Sequence, residues 1–292
     1  MSGDPKRFID REFAKHVLTL MTGTGLGQVI ALLLIPIVTR FFSPEDFSTL
    51  EQFAMLQAIL GVFATGKYEF AIMLPDEQNK SQALVKLALK ISCWFSVSLL
   101  IVLFFTKGLL ADAYQNPDLE NWLLLLPIAI LGFAVFNTLN FWFSKKKKYK
   151  IAAKSKVIHP LVSEPIKIGL GLAAWSGGGL VTAVVLGRIV TSIYMIKSYL
   201  TDIAGTSVSN DLVKTVAKEY RKYPIYTIWG SLFGRLAQWS HIFLFSYFFG
   251  IWSIGFFALS RRLIQNPLNI LSNSFSQVFY QRISEIKDPK QL

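Results

Sequence analysis

The chain has 292 residues, of which 52% are hydrophobic and only 16% charged, with a mean hydropathy of +0.44. Soluble domains carry roughly a quarter charged residues, so the composition argues against a soluble enzyme and against an ordinary disordered chain. The net charge of +12 would suit nucleic acid in a soluble protein, but in a membrane protein it marks Lys and Arg gathered on the cytoplasmic side, and no nucleic-acid partner is expected.

A polar, basic stretch at 1–15 leads into an apolar run at 17–38. That run is too long for a signal-peptide core and lacks a small-residue cleavage site, so it reads as an uncleaved first membrane helix. Seven further apolar segments follow, at 47–74, 88–106, 120–143, 157–175, 179–200, 223–248 and 252–281. Most are near the ~20 residues that cross a bilayer. The expected fold is an all-α polytopic membrane protein with eight transmembrane helices. Between segments, Ser43-Pro44-Glu45-Asp46 has a helix-start composition, Gly177-Gly178-Gly179 a tight turn, and 201–222 is long and basic.

The loops give an orientation. With alternating sides, 22 Lys and Arg fall on the face holding both termini and the 75–90, 144–156 and 197–222 loops. Only Arg40 and Lys107 fall on the other. This is a strong positive-inside bias, and it places both termini in the cytoplasm.

Several motifs tempt and fail. Gly61-Val62-Phe63-Ala64-Thr65-Gly66-Lys67 matches the start of a phosphate-binding loop, but Tyr68 stands where Ser or Thr must hold magnesium. Gly169-Leu170-Gly171 mimics a dinucleotide fingerprint inside an apolar segment, where small residues more simply permit close helix packing. The single cysteine, Cys93, excludes an intrachain disulfide. His16, His159 and His241 have no partners at metal-ligand spacing. No cofactor and no metal are expected. The run Lys145-Lys146-Lys147-Lys148-Tyr149-Lys150 suits attraction to anionic headgroups beside a helix end.

Charges inside membrane segments are costly and usually face a cavity or a partner. Arg188 shares a face of the sixth segment with Ser192, Met195 and Tyr199. Arg235 shares one of the seventh with Ser231, Gln238, Trp239 and Ser246. In the eighth, Arg262, Asn266, Asn269, Asn273, Ser276 and Tyr280 recur at one helical stripe, flanked by Arg261 and Gln265, with Pro267 as a helix breaker. Glu164 and Lys167, three apart, should pair with each other. In a regular helix Glu51 and Glu69 share a face, while Lys67 points about 200° from Glu69. Away from the segment ends, Lys67, Lys167, Arg188, Arg235, Arg261 and Arg262, set against Glu51, Glu69 and Glu164, suit an anionic head group such as a pyrophosphate. The candidate cavity residues are Lys67, Glu69, Arg188, Arg235, Arg261, Arg262, Asn266, Asn269 and Asn273.

Three stretches carry a family resemblance: Thr39-Arg40-Phe41-Phe42-Ser43-Pro44-Glu45-Asp46-Phe47, Thr65-Gly66-Lys67-Tyr68-Glu69-Phe70-Ala71-Ile72-Met73-Leu74-Pro75, and Ser276-Gln277-Val278-Phe279-Tyr280-Gln281-Arg282. Together they resemble the Wzx-type O-antigen and polysaccharide flippases of the MOP superfamily. The middle stretch is the most specific, with Lys67, Tyr68 and Glu69 at the positions of that family's signature. The resemblance implies a transporter that moves undecaprenyl-pyrophosphate-linked oligosaccharide across the bacterial inner membrane, beside other polysaccharide-assembly proteins. It also implies two helical lobes around a central cavity. On that pattern, residues 1–200 form a first six-helix lobe, 201–222 a cytoplasmic amphipathic linker, and 223–292 the start of a second lobe. Family members usually have twelve or more spans, so the second lobe is expected to be incomplete. The alternatives are a MOP-type exporter of another anionic lipid-linked precursor or a drug, or a membrane-embedded glycan-assembly protein.

Overall fold

The computed structural model describes residues 25–175, 178–206, 208–264 and 268. Among these residues there are helices and turns and no strands. The first helix, α1 (Gly25–Val38), is followed by α2 (Pro44–Leu60). The start of α2 follows from its sequence. The Ser43 hydroxyl accepts from the Asp46 N–H, the Asp46 carboxylate accepts from the Ser43 N–H at 2.8 Å, and Pro44 occupies the first turn. This is a reciprocal cap at an end where four N–H groups otherwise lack partners.

The segment expected as one helix over 47–74 is broken. Helix α2 stops at Leu60, and a series of turns leads to a short 3₁₀ helix, Tyr68–Met73. Gly66 and Lys67 both adopt left-handed backbone, with φ of 58° and 61°. That conformation is easy for glycine and costs roughly 1–2 kcal/mol for other residues. Glu51 and Glu69 therefore do not share one continuous helical face.

Helix α3 (Gln78–Ala113) is much longer than expected, at 36 residues. At 1.5 Å per residue it spans about 54 Å, well beyond the ~30 Å hydrocarbon core. Its first turns are buried in protein, with Ser81 to Val85 at most 3% exposed. Farther on it presents Trp94, Val97, Ile101 and Phe105 outward. The 120–143 segment divides into a short α4 (Pro117–Leu123) and α5 (Leu126–Lys145), with Pro127 in the first turn of α5. Next come α6 (Tyr149–Leu172), with Pro160 and Pro165 in its interior, and α7 (Gly178–Asp202). The 201–222 stretch holds the helix α8 (Asn210–Glu219), capped by Ser209. A π turn at Tyr223–Thr227 opens α9 (Ile228–Phe249). Gly250, at φ 75°, turns the chain into α10 (251–264). By length and composition α3, α5 and α7 can each cross a membrane.

Lipid tails are as apolar as leucine, so helices in a bilayer associate through close packing and hydrogen bonds. Both are present. A Cβ on Gly187 of α7 would lie 2.9 Å from the Ser163 Cβ of α6, and one on Gly171 would lie 2.6 Å from the Phe41 Cβ. Gly169 has no such neighbour. One end of the bundle is laced by polar contacts. The Ser246 hydroxyl and the Gln52 amide both donate to the Tyr114 carbonyl, at 3.0 and 3.2 Å, and the Asn116 amide donates to Thr49 and Gln52. Ser48 donates to the Ile251 carbonyl, and Gly255 of α10 rests directly on Pro44. These contacts seat α9 and α10 against α2.

The opposite end is a separate core. Tyr68, Ile72, Leu84, Leu139, Trp142 and Phe143 pack there with Val213 and Val216 of α8. The basic run after α5 turns partly inward to clamp it. Lys145 donates to the carbonyls of Ile72 and Pro75, Lys148 pairs with Asp202, and Lys146 sits over the Trp142 ring. Headgroup attraction is therefore not the whole use of these lysines, although Lys147 and Lys150 remain exposed.

Candidate functional site

The turn after α2 is built from its own side chains. The Thr65 hydroxyl donates to the Glu69 carboxylate and accepts from the Lys67 N–H at 3.3 Å. Glu69 is only 5% exposed, so its carboxylate is part of the turn. The Tyr68 hydroxyl donates to the Ala217 carbonyl at 3.1 Å, tying the turn to α8. The phosphate-loop reading fails here for a second reason. The amides of Val62, Phe63, Ala64, Gly66, Lys67 and Tyr68 are all engaged within the turn and cannot cradle an anion.

Lys67 projects from this turn with its ammonium 5.7 Å from the Phe70 ring centre. Among the described residues it makes no ion pair, although Glu69 and Arg235 lie within electrostatic reach. Arg235 is exposed on α9, and its guanidinium donates to the Gln238 side chain at 2.8 Å. The structure thus places Lys67 and Arg235, 168 positions apart in the chain, within electrostatic reach of each other.

Arg262 is placed differently. Its guanidinium lies 3.0 Å from the Glu51 carboxylate of α2 and 5.3 Å from the Phe47 ring centre. Arg261 lies over Trp239 at 5.3 Å. Glu164 and Lys167 form the expected pair, at 2.6 Å, with both side chains under 10% exposed. Lys167 is within electrostatic reach of Arg262, and His241 within reach of Arg261 and Glu51. One polar cluster therefore joins α2, α6, α9 and α10.

Arg188 lies at the edge of this cluster. It stands against two rings of α5, Phe136 at 4.9 Å and Phe133 at 5.9 Å. Gly132 makes room for its stem, since a Cβ there would lie 2.8 Å from the Arg188 Cγ. Cation–π contact is worth about 2 kcal/mol when desolvated. Among the described residues Arg188 has no carboxylate partner. The face shared with Ser192, Met195 and Tyr199 is inward, and all three of these are buried. The buried Ser163 hydroxyl and His159 Nε2 on α6 have no hydrogen-bond partner among the described residues.

Of the expected cavity residues, Lys67 and Arg235 lie within electrostatic reach of each other, while Arg261 and Arg262 sit in the α2–α9–α10 cluster. Arg188 occupies an aromatic niche between α5 and α7, and Glu69 is consumed by its turn. Asn266, Asn269 and Asn273, with Gln265, Pro267, Ser276 and Tyr280, lie outside the described residues. Sequence reasoning missed Glu51 as the partner of Arg262, and missed the Phe133–Phe136 niche. Those two rings are three residues apart and share a helix face, but nothing local names the arginine that covers them.

This arrangement defines a helical membrane protein with a charged interior seam. It is similar to a multidrug resistance MATE family transporter of the MOP superfamily, solved in an outward-facing conformation. The TM-score is 0.53 at 13% identity, over 95% of this chain and 73% of that one. The shared feature is the MOP-type fold. Residues 37–292 match the model of a family described as polysaccharide biosynthesis protein, and the chain belongs to that family. No curated protein matches it.

Proposed function

We propose that the protein is a flippase that moves a polyprenyl-pyrophosphate-linked oligosaccharide across the bacterial inner membrane for polysaccharide assembly. The observation that carries this reading is the electrostatic proximity of Lys67 and Arg235. Two cations from well-separated segments lie within electrostatic reach of each other, and among the described residues neither makes an ion pair with a carboxylate. Like charges in a poorly hydrated space repel. An anionic head group between them would offset that repulsion through charge-assisted hydrogen bonds. A cationic drug would add to it.

On this reading the chain has both termini in the cytoplasm and eight spans. Residues 1–200 form one lobe, 201–222 the linker, and 223–292 belong to a second. Lys67 and Arg235 then face each other across the lobe boundary. Arg261 and Arg262 extend the polar wall along the second lobe, and Arg188 contributes from the first. The protein acts by binding and reorienting its lipid, without a covalent step.

The test is binding of a polyprenyl pyrophosphate to purified protein in nanodiscs. The Lys67→Gln/Arg235→Gln double variant should bind at least about tenfold more weakly, a loss of about 1.4 kcal/mol. Lys67→Arg should retain affinity. Equal affinity in the wild type and the double variant would overturn the reading.

A further inference from the structure

A second basic site lies away from these cations. A cavity of about 530 Å³ opens between α3 and the end of α7, roofed by Ile203, Thr206 and Val208 ahead of α8. Its rim carries Lys86 and Lys90 of α3, one turn apart on the same face. The Lys86 ammonium donates to the Val208 carbonyl at 2.9 Å, and the Lys90 ammonium to the Asn210 side chain at 3.2 Å. Both acceptors are neutral. Among the described residues neither lysine makes an ion pair. An ammonium has three donors, so each keeps two for a further acceptor.

The floor is apolar and faces outward. Leu89 lines the cavity between the two lysines, and Cys93 and Trp94 line it about one turn farther along α3. Trp94 is 75% exposed, and Val97 and Ile101 continue the same helical face at 54% and 58%. This is also the level at which α3, far longer than a bilayer is thick, passes from a protein-buried segment to an outward-facing one. Tryptophan and lysine at one depth mark a membrane interface. Basic pockets between helices at that depth suit anionic lipid head groups.

We infer that this cavity holds the head group of an anionic phospholipid, with its phosphate on Lys86 and Lys90 and its acyl chains along Trp94, Val97 and Ile101. The lipid is a resident of the surrounding leaflet. It would fasten the α3–α7 end of the bundle to the linker carrying α8, which in turn holds Tyr68. The inference does not rest on the flippase reading, and its test uses no transport substrate.

The chain's single cysteine makes the site measurable, because Cys93 is exposed at the cavity wall. The experiment follows the rate at which a neutral maleimide labels Cys93 in nanodiscs of phosphatidylcholine alone or with phosphatidylglycerol. An anionic surface slows thiolate chemistry by itself, so the readout is the difference between wild type and variant in the same discs. Phosphatidylglycerol should slow labelling severalfold more in the wild type than in Lys86→Gln/Lys90→Gln. The Lys86→Arg/Lys90→Arg variant should behave as wild type. Equal slowing in the wild type and the Gln variant would overturn the site. Equal protection by inorganic phosphate in phosphatidylcholine discs would also overturn it, by making the ligand a free anion.

Discussion

Arg188 and Arg262, both partly buried, find partners in two ways. Arg188 rests on Phe133 and Phe136, whereas Arg262 rests on Glu51, whose side chain is 9% exposed. Removing one partner of such a pair strands the other charge. Glu51→Gln should therefore lower unfolding stability by about 1–3 kcal/mol, below the ~3–5 of a fully buried pair, because Arg262 keeps 26% exposure. Glu51→Gln/Arg262→Gln should recover most of that loss. Thermal unfolding of the two single variants and the double variant in detergent measures the coupling, and purely additive losses would contradict it. Arg262 stood out in the sequence as a charge within an apolar segment. Its partner was not, since 211 residues separate the two and no local pattern encodes that contact.

At the scale of elements, the break after α2 matters most. An apolar run reports burial, and burial does not require a continuous helix. Only Gly61 and Gly66 hinted at the interruption, and glycine inside a membrane helix is common. The break lets Lys67 leave the turn while Glu69 folds back into it. Gly66→Ala should then destabilise the protein by about 1–2 kcal/mol for its left-handed backbone. A new Cβ would also meet the Tyr68 ring at 3.2 Å. Gly108→Ala, inside α3 with no neighbour within 4 Å, should be neutral or stabilising by up to ~1 kcal/mol. Paired thermal melts check both, and equal effects at the two sites would contradict the turn's role. The length of α3 was missed for a related reason. Its first turns, Gln78 to Leu87, are amphipathic, and they are covered by protein where a hydropathy window looks for lipid-facing apolar residues.

At the scale of the whole molecule, the charge asymmetry predicts orientation and the structure chooses the probes. Asn116 and Ser155 are 1% and 0% exposed, so cysteines there would report nothing. Asp118, Lys147 and Asn210 are exposed. In a Cys93→Ser background, Asp118→Cys should be labelled by an impermeant thiol reagent in intact cells. Lys147→Cys and Asn210→Cys should be labelled only after permeabilisation. The reverse pattern would invert the proposed topology.

The sequence alone was enough to determine a helical membrane protein, the order of its apolar segments, and an excess of cations within them. These follow from composition and periodicity, which each stretch carries locally. Membership of the polysaccharide biosynthesis family accords with the motifs at 39–47 and 65–75. The tertiary structure decided how the cations divide: Arg262 to Glu51, Arg188 to two rings of α5, and Lys67 to the neighbourhood of Arg235. It also decided that Tyr68 and Glu69 build a turn, and that Lys86 and Lys90 flank a cavity. The physical reason is range. A helix is encoded by residues three and four apart, whereas the environment of a charge is set by whatever the packing of distant helices places beside it.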